Sequence, residues 1–170
     1  MSLYIFEAHK KALKRAGFDL TLEDYLEYGV AKGSKNLHEQ LSKKYGIVLD
    51  TEDLFSKKIK EFKKIFDEKA IPRAGILDLI KYASLKYDLA VASSGARESV
   101  DYTLEKFGIK KYFKVVITGN DIERVKPFPD IYNKAVELLG YKKEECTAIE
   151  DSETGLTAAK NAGLKCFVVP

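Results

Sequence analysis

The chain has 170 residues, 45 % of them apolar and 32 % charged, which suits a globular protein with one or two small cores. Its formal charge is +3, from 29 basic against 26 acidic residues, and the lysines are spread along stretches such as Lys57-Lys58 and Lys63-Lys64. That balance speaks against nucleic acid as a partner, no run reaches the about 20 apolar residues of a membrane span, and no charged-then-apolar leader suggests export.

The first part of the chain carries only helix signals. Ala12, Leu13, Ala16 and Phe18 follow helical spacing, and Gly17 is a natural stop. Thr21 opens a second helix, with Asp24 three residues on as a weak capping box. A third runs from about Ser34 to Tyr45 and closes at Gly46. Thr51 caps a fourth, with Leu54, Phe55, Ile59, Phe62, Ile65 and Phe66 along one face. Four amphipathic helices bury their stripes only by packing together, so residues 1–70 read as a small helical bundle. His9 and His38, in lysine-rich or polar surroundings, read as surface residues.

Ile71-Pro72-Arg73-Ala74-Gly75 breaks the helical pattern, and residues 71–170 then alternate. Helices are expected near Ile76 to Ala83, Glu98 to Phe107, Asp130 to Leu139 and Gly155 to Asn161. Strands are expected at Leu89 to Ala92, Val115 to Ile117, Thr147 to Ile149 and Cys166 to Val169. Short unbroken apolar runs between helices indicate an α/β unit with a Rossmann-like parallel sheet covered on both faces. Cys146 and Cys166 are too far apart in sequence for a metal knuckle or redox pair. They read as small buried thiols flanking strands, which suits a cytoplasmic setting.

In an open parallel sheet, ligands bind beyond the carboxyl ends of the strands. The residues there are Ser93-Ser94-Gly95, Thr118-Gly119-Asn120-Asp121 and Glu150-Asp151-Ser152, with Lys126-Pro127 in the loop before Asp130. Each has an ordinary reading: a turn and helix cap, a solvated loop, and carboxylates at a helix start. Together they offer hydroxyls and free amides for phosphate oxygens, a lysine to neutralise them, and hard oxygen ligands for Mg²⁺.

The runs Leu89-Ala90-Val91-Ala92-Ser93-Ser94, Val125-Lys126-Pro127-Phe128-Pro129-Asp130 and Ile149-Glu150-Asp151-Ser152 with Gly155 resemble motifs two, three and four of the haloacid dehalogenase-like superfamily. Their order and spacing are similar to the phosphoglycolate phosphatase and beta-phosphoglucomutase branch, and the first 70 residues resemble its helical cap. The resemblance implies a Mg²⁺-dependent phosphohydrolase acting on a small phosphorylated metabolite through an aspartyl-phosphate. Ser93 and the amide of Ser94 would bind the phosphoryl group, Lys126 would balance its charge, and Glu150 and Asp151 would hold Mg²⁺ directly or through water. Gly29-Val30-Ala31-Lys32 resembles the branch's specificity loop, which makes Lys32 a substrate contact.

The family's first motif, a strand ending in Asp-x-Asp-Gly that carries the nucleophile and the acid–base group, occurs nowhere in this sequence. The chain as given is therefore expected to be inactive. Leu3 to Phe6 could stand in as that strand, with Glu7 and His9 replacing the two aspartates, but helical spacing runs through this segment. Alternatives are a sugar-phosphate mutase, a catalytically dead relative serving as a binding or regulatory module, and a true dehalogenase. The resemblance puts the first-motif strand at the centre of the sheet. Its absence calls for a repair: the neighbouring strands close up, a partner chain or the missing N-terminal segment supplies a strand, or Leu3 to Phe6 is drawn in. Closing up is the expected outcome.

Overall fold

A computed structural model describes residues 2–30 and 32–169, which divide into two units, Met1–Ile71 and Pro72–Pro170. In the first unit, α1 (Ser2–Arg15) packs along α4 (Thr51–Lys69), and α3 (Gly33–Tyr45) completes the bundle. Leu13, Leu20, Tyr25, Leu37, Leu41 and Leu54 form a buried cluster between them. Leu3 to Phe6 lie within α1, as their helical spacing requires, and Glu7 pairs with Lys69 at 2.9 Å. The strand reading of this segment, with Glu7 and His9 as substitute aspartates, is thereby overturned.

The helix expected from Thr21 is a single turn, α2 (Leu22–Asp24), which runs on into a π-helical turn, Tyr25–Gly29. Glycine is required at that turn: a Cβ on Gly29 would sit 2.7 Å from the Tyr25 ring. The cap of α4 is Asp50 rather than Thr51, its carboxylate accepting from the Glu52 and Asp53 amides at 3.1 and 3.0 Å. Two further expectations fail. His9 and His38 are 3 % and 1 % exposed, not surface residues. Their rings meet edge to face, with centroids 5.7 Å apart. Cys146 and Cys166 are only partly buried.

The second unit alternates as expected. β1 (Leu89–Ala92) pairs in parallel with β2 (Phe113–Ile117), and β3 (Thr147–Glu150) pairs in parallel with β4 (Lys165–Val168). The helices between them are α6 (Arg97–Lys106), α7 (Asp130–Leu139) and α8 (Glu153–Asn161), with α5 (Ile76–Ser84) ahead of β1. Ile117, Ile131, Tyr132, Ala135, Val136, Ala148, Ala158 and Ala159 form the core. Ala158 and Ala159 of α8 are fully buried in it. No described helix is long and apolar enough to cross a membrane.

The strands form two separate two-stranded sheets, β1-β2 and β3-β4. The expected closure of β1 onto β3 does not occur, and Leu3 to Phe6 are not drawn in. Side-chain links join their two ends instead. At the amino end the Tyr141 hydroxyl donates to Asp88 Oδ2 at 2.8 Å, and at the carboxyl end Lys126 bridges the Ala92 carbonyl and Glu150. The strands between these ties remain unpaired with each other.

Candidate active site

The carboxyl ends of β1 and β3 meet through one side chain. Lys126, 9 % exposed, donates from Nζ to the Ala92 carbonyl at 2.9 Å and to Glu150 Oε1. The Tyr132 hydroxyl donates to the same Glu150 oxygen. Burial, followed by this hydrogen bond to a carboxylate, pushes the Tyr132 hydroxyl well above the usual phenol range, so it stays a donor. Glu150 Oε2 lies 3.5 Å from Ser152 Oγ, and the Ser152 side chain caps α8 by accepting from the Gly155 amide at 3.1 Å. A Cβ on Gly155 would fall 1.9 Å from Glu150 Oε2. Glycine here makes room for the carboxylate.

Ser93 follows β1 directly, its amide bonded to the Ile117 carbonyl at 3.0 Å and its Oγ accepting from the Gly95 amide at 3.2 Å. Ser94 Oγ is buried without a partner. The Gly119 amide donates to the Gly95 carbonyl at 3.0 Å, and a Cβ on Gly119 would be 2.7 Å from the Ser94 carbonyl, so the two loops lie backbone to backbone. Asp121 is turned inward: its Oδ2 accepts from the Thr118 amide and hydroxyl, each at 2.8 Å, and pairs with Arg97. Burial favours its neutral form, but the Thr118 bonds and the Arg97 charge hold its carboxyl below the usual range. The Asp121 loop is thus a locked structural turn.

The rim therefore brings together Ser93, Ser94, Lys126, Glu150 and Asp151, five of the residues singled out in the sequence. Glu150 is engaged by Lys126 and Tyr132 through Oε1 and packed against Gly155 and Ser152 through Oε2, so its carboxylate is buried, while Asp151 is exposed. Lys32 belongs to the helical unit, is exposed, and donates to the Glu27 carbonyl at 2.7 Å. Ala31, in the same proposed loop, lies outside the described residues. Tyr132 was not anticipated, because its partner Glu150 lies in a different element and no local pattern links them.

Parallel strands alternating with helices give the second unit a Rossmann-like α/β architecture, with these polar groups at the carboxyl rim. A family model for haloacid dehalogenase-like hydrolases matches residues 2–169, and the chain belongs to that family. It is 35 % identical over 168 residues to YhcW of Bacillus subtilis (strain 168), which carries a provisional phosphatase name; the match covers 98 % of this chain and 72 % of YhcW. Pyrophosphatase PpaX of Halalkalibacterium halodurans is 34 % identical over 104 residues, 61 % of this chain and 48 % of that protein. Among solved structures, CbbY from Rhodobacter sphaeroides in complex with phosphate superposes with a TM-score of 0.83 at 30 % identity, covering 98 % of this chain and 79 % of CbbY.

Proposed function

We propose that this rim is the phosphate- and metal-binding part of a phosphohydrolase site for a small phosphorylated metabolite. The observation that carries the reading is Lys126, whose ammonium joins the tips of β1 and β3 at Ala92, the residue before Ser93, and at Glu150. The Ser93 hydroxyl and the Ser94 amide would donate to phosphoryl oxygens and orient them, and the ammonium would offset their charge. The relatives named for phosphatase activity, and the phosphate complex of CbbY, support this assignment. Lys32, in the helical unit, is the proposed substrate contact.

The donor set suits Mg²⁺ in part. Asp151 offers an exposed carboxylate, a hard oxygen donor of the kind that holds this ion together with several waters, while Glu150, buried against Lys126, Tyr132 and Gly155, would act through water. When bound, Mg²⁺ supplies neutralisation of phosphoryl charge. The aspartyl-phosphate route also needs a carboxylate nucleophile and an acid–base group, and the sequence holds no Asp-x-Asp-Gly to provide them. Glu7 is a poor substitute, since Lys69 holds it on α1 and keeps its carboxyl below the usual range through hydrogen bonding. Enzymes reach up to ~10²¹-fold acceleration for phosphate-monoester hydrolysis, and positioning groups alone supply little of that.

A screen of phosphoglycolate and sugar phosphates should therefore stay at background with this chain alone. Calorimetry with Mg²⁺ and inorganic phosphate together should show weak binding that Asp151→Asn removes. Binding indifferent to Asp151→Asn would overturn the site, and turnover abolished by Glu7→Gln would overturn the expected inactivity.

A further inference from the structure

Thr118-Gly119-Asn120-Asp121 follows β2 as Ser93-Ser94-Gly95 follows β1, yet only the loop after β1 supplies proposed phosphate contacts. The loop after β2 is fastened to it at successive points. The Ser93 amide donates to the Ile117 carbonyl, and the Gly119 amide to the Gly95 carbonyl, each at 3.0 Å. The Arg97 amide donates to Asn120 Oδ1 at 2.9 Å. The Arg97 guanidinium donates to the Val116 carbonyl at 3.0 Å and to Asp121 Oδ2.

Each fastening answers a local need. The first amides of a helix lack partners within it, and Ala96, at the cap position of α6, has no side chain that could accept from them. Asn120 supplies that acceptor from the other loop. Asp121 in turn fixes Asn120, because its Oδ2 accepts from the amide and hydroxyl of fully buried Thr118 and closes the turn Gly119–Asp121. Lys134 donates to the Asp121 carbonyl at 2.7 Å, which ties the same turn to α7, the helix after the Lys126 loop. A Cβ on Gly119 would meet the Ser94 carbonyl at 2.7 Å. Displacing either loop therefore displaces the other.

We infer that Asp121 is a positioning residue for phosphate: through Arg97 and Asn120 it holds the Ser93-Ser94-Gly95 backbone where its hydroxyl and amide meet phosphoryl oxygens. This rests on the phosphate reading of the rim. Ser93 Oγ accepts from the Gly95 amide at 3.2 Å, so the direction of its own O–H follows the place of Gly95, which the Gly119 amide fixes. A loop already held in its binding form loses less freedom when the ligand arrives. Two effects of Asp121 oppose each other. Its negative charge repels a phosphate, whereas its hydrogen bonds favour one, and the sign of the mutational effect separates them.

The test is a titration of the isotope-labelled full chain with inorganic phosphate in the presence of Mg²⁺, followed by NMR at the Ser94 and Gly95 amides. Asp121→Asn should weaken phosphate binding roughly fivefold, the equivalent of one ordinary hydrogen bond, although it removes a repelling charge. Asn120→Ala, a neutral change at an exposed residue, should weaken it roughly threefold. Both should speed hydrogen exchange at the Arg97 amide before phosphate is added. Equal or tighter binding by Asp121→Asn would show that the carboxylate acts by charge alone and overturn the inference. Unchanged exchange at Arg97 in that variant would overturn it too. Should Asp121→Asn fail to fold, Asn120→Ala decides, and unchanged binding and exchange there count against the inference. A wild-type chain whose Ser94 amide never responds to phosphate would overturn the phosphate reading itself and this inference with it, whatever the exchange rates.

Discussion

Replacing Lys126 with methionine should destabilise the second unit by about 3–5 kcal/mol, the usual cost of stranding one member of a buried ion pair. Lys126 and Glu150 are 9 % and 7 % exposed. Their contact is the tie between the two half-sheets at the carboxyl end. Without the ammonium, Glu150 keeps only the Tyr132 hydroxyl and a distant Ser152 hydroxyl, and Gly155 leaves the carboxylate no other space. Against a typical stability of about 5–15 kcal/mol, the loss is large enough to read in urea unfolding. The double variant Lys126→Met with Glu150→Gln should recover much of it, since the amide is the same size, carries no charge and still accepts from Tyr132. A single variant that loses under about 1 kcal/mol would show that the pair is solvated and does not hold the rim together.

The parts of the fold that could be read from sequence are those set by local pattern. β1 and α7 begin and end where the apolar run after Asp88 and the helical spacing after Pro129 place them. The expected stop at Gly46 is a left-handed residue closing α3. Motif residues at the strand tips were legible because strand ends aim their loops at one rim, and Ser93, Lys126 and Glu150 do meet there. What the sequence hid is non-local. Nothing near Tyr132 announces that its hydroxyl will reach Glu150, and nothing near Tyr141 announces its bond to Asp88. The histidines show a different failure. His9 lies three residues after Phe6 and four before Leu13, on the apolar stripe of α1, and His38 adjoins Leu37 and precedes Leu41 by three. Helical spacing placed both inside, and the neighbouring lysines masked it.

Those two histidines should make the helical unit sensitive to mild acid. Burial, with the Lys58 ammonium and the other ring adding repulsion, lowers His9 from its ordinary 6.5 to about 3. Burial and Lys58 lower His38 to about 4. In the folded unit both rings are neutral at pH 5, whereas in the unfolded chain both take up protons below pH 6.5. The unfolded state therefore binds more protons between these limits, and stability falls as pH drops through that window. At about 1.4 kcal/mol per pH unit for each group, the loss from neutral pH to pH 5 is roughly 4 kcal/mol. Ser34 Oγ lies 3.3 Å from His9 Nε2, the Tyr25 ring is tilted against His9 with centroids 5.9 Å apart, and the Nδ1 atoms of both histidines are buried without partners. Carboxylates with lowered pKa, such as Glu7 and Asp24, lose their contributions only at lower pH. Hydrogen exchange on the full chain at pH 7, 6 and 5, corrected for intrinsic rates, reads the amides of α1, α3 and α4 separately from the second unit. Their opening free energy should fall steeply from pH 7 to 5, and the double variant His9→Gln with His38→Gln should flatten that slope. A wild-type unit equally stable at pH 7 and pH 5 would show that the rings are already charged, or accessible to protons, in the folded bundle.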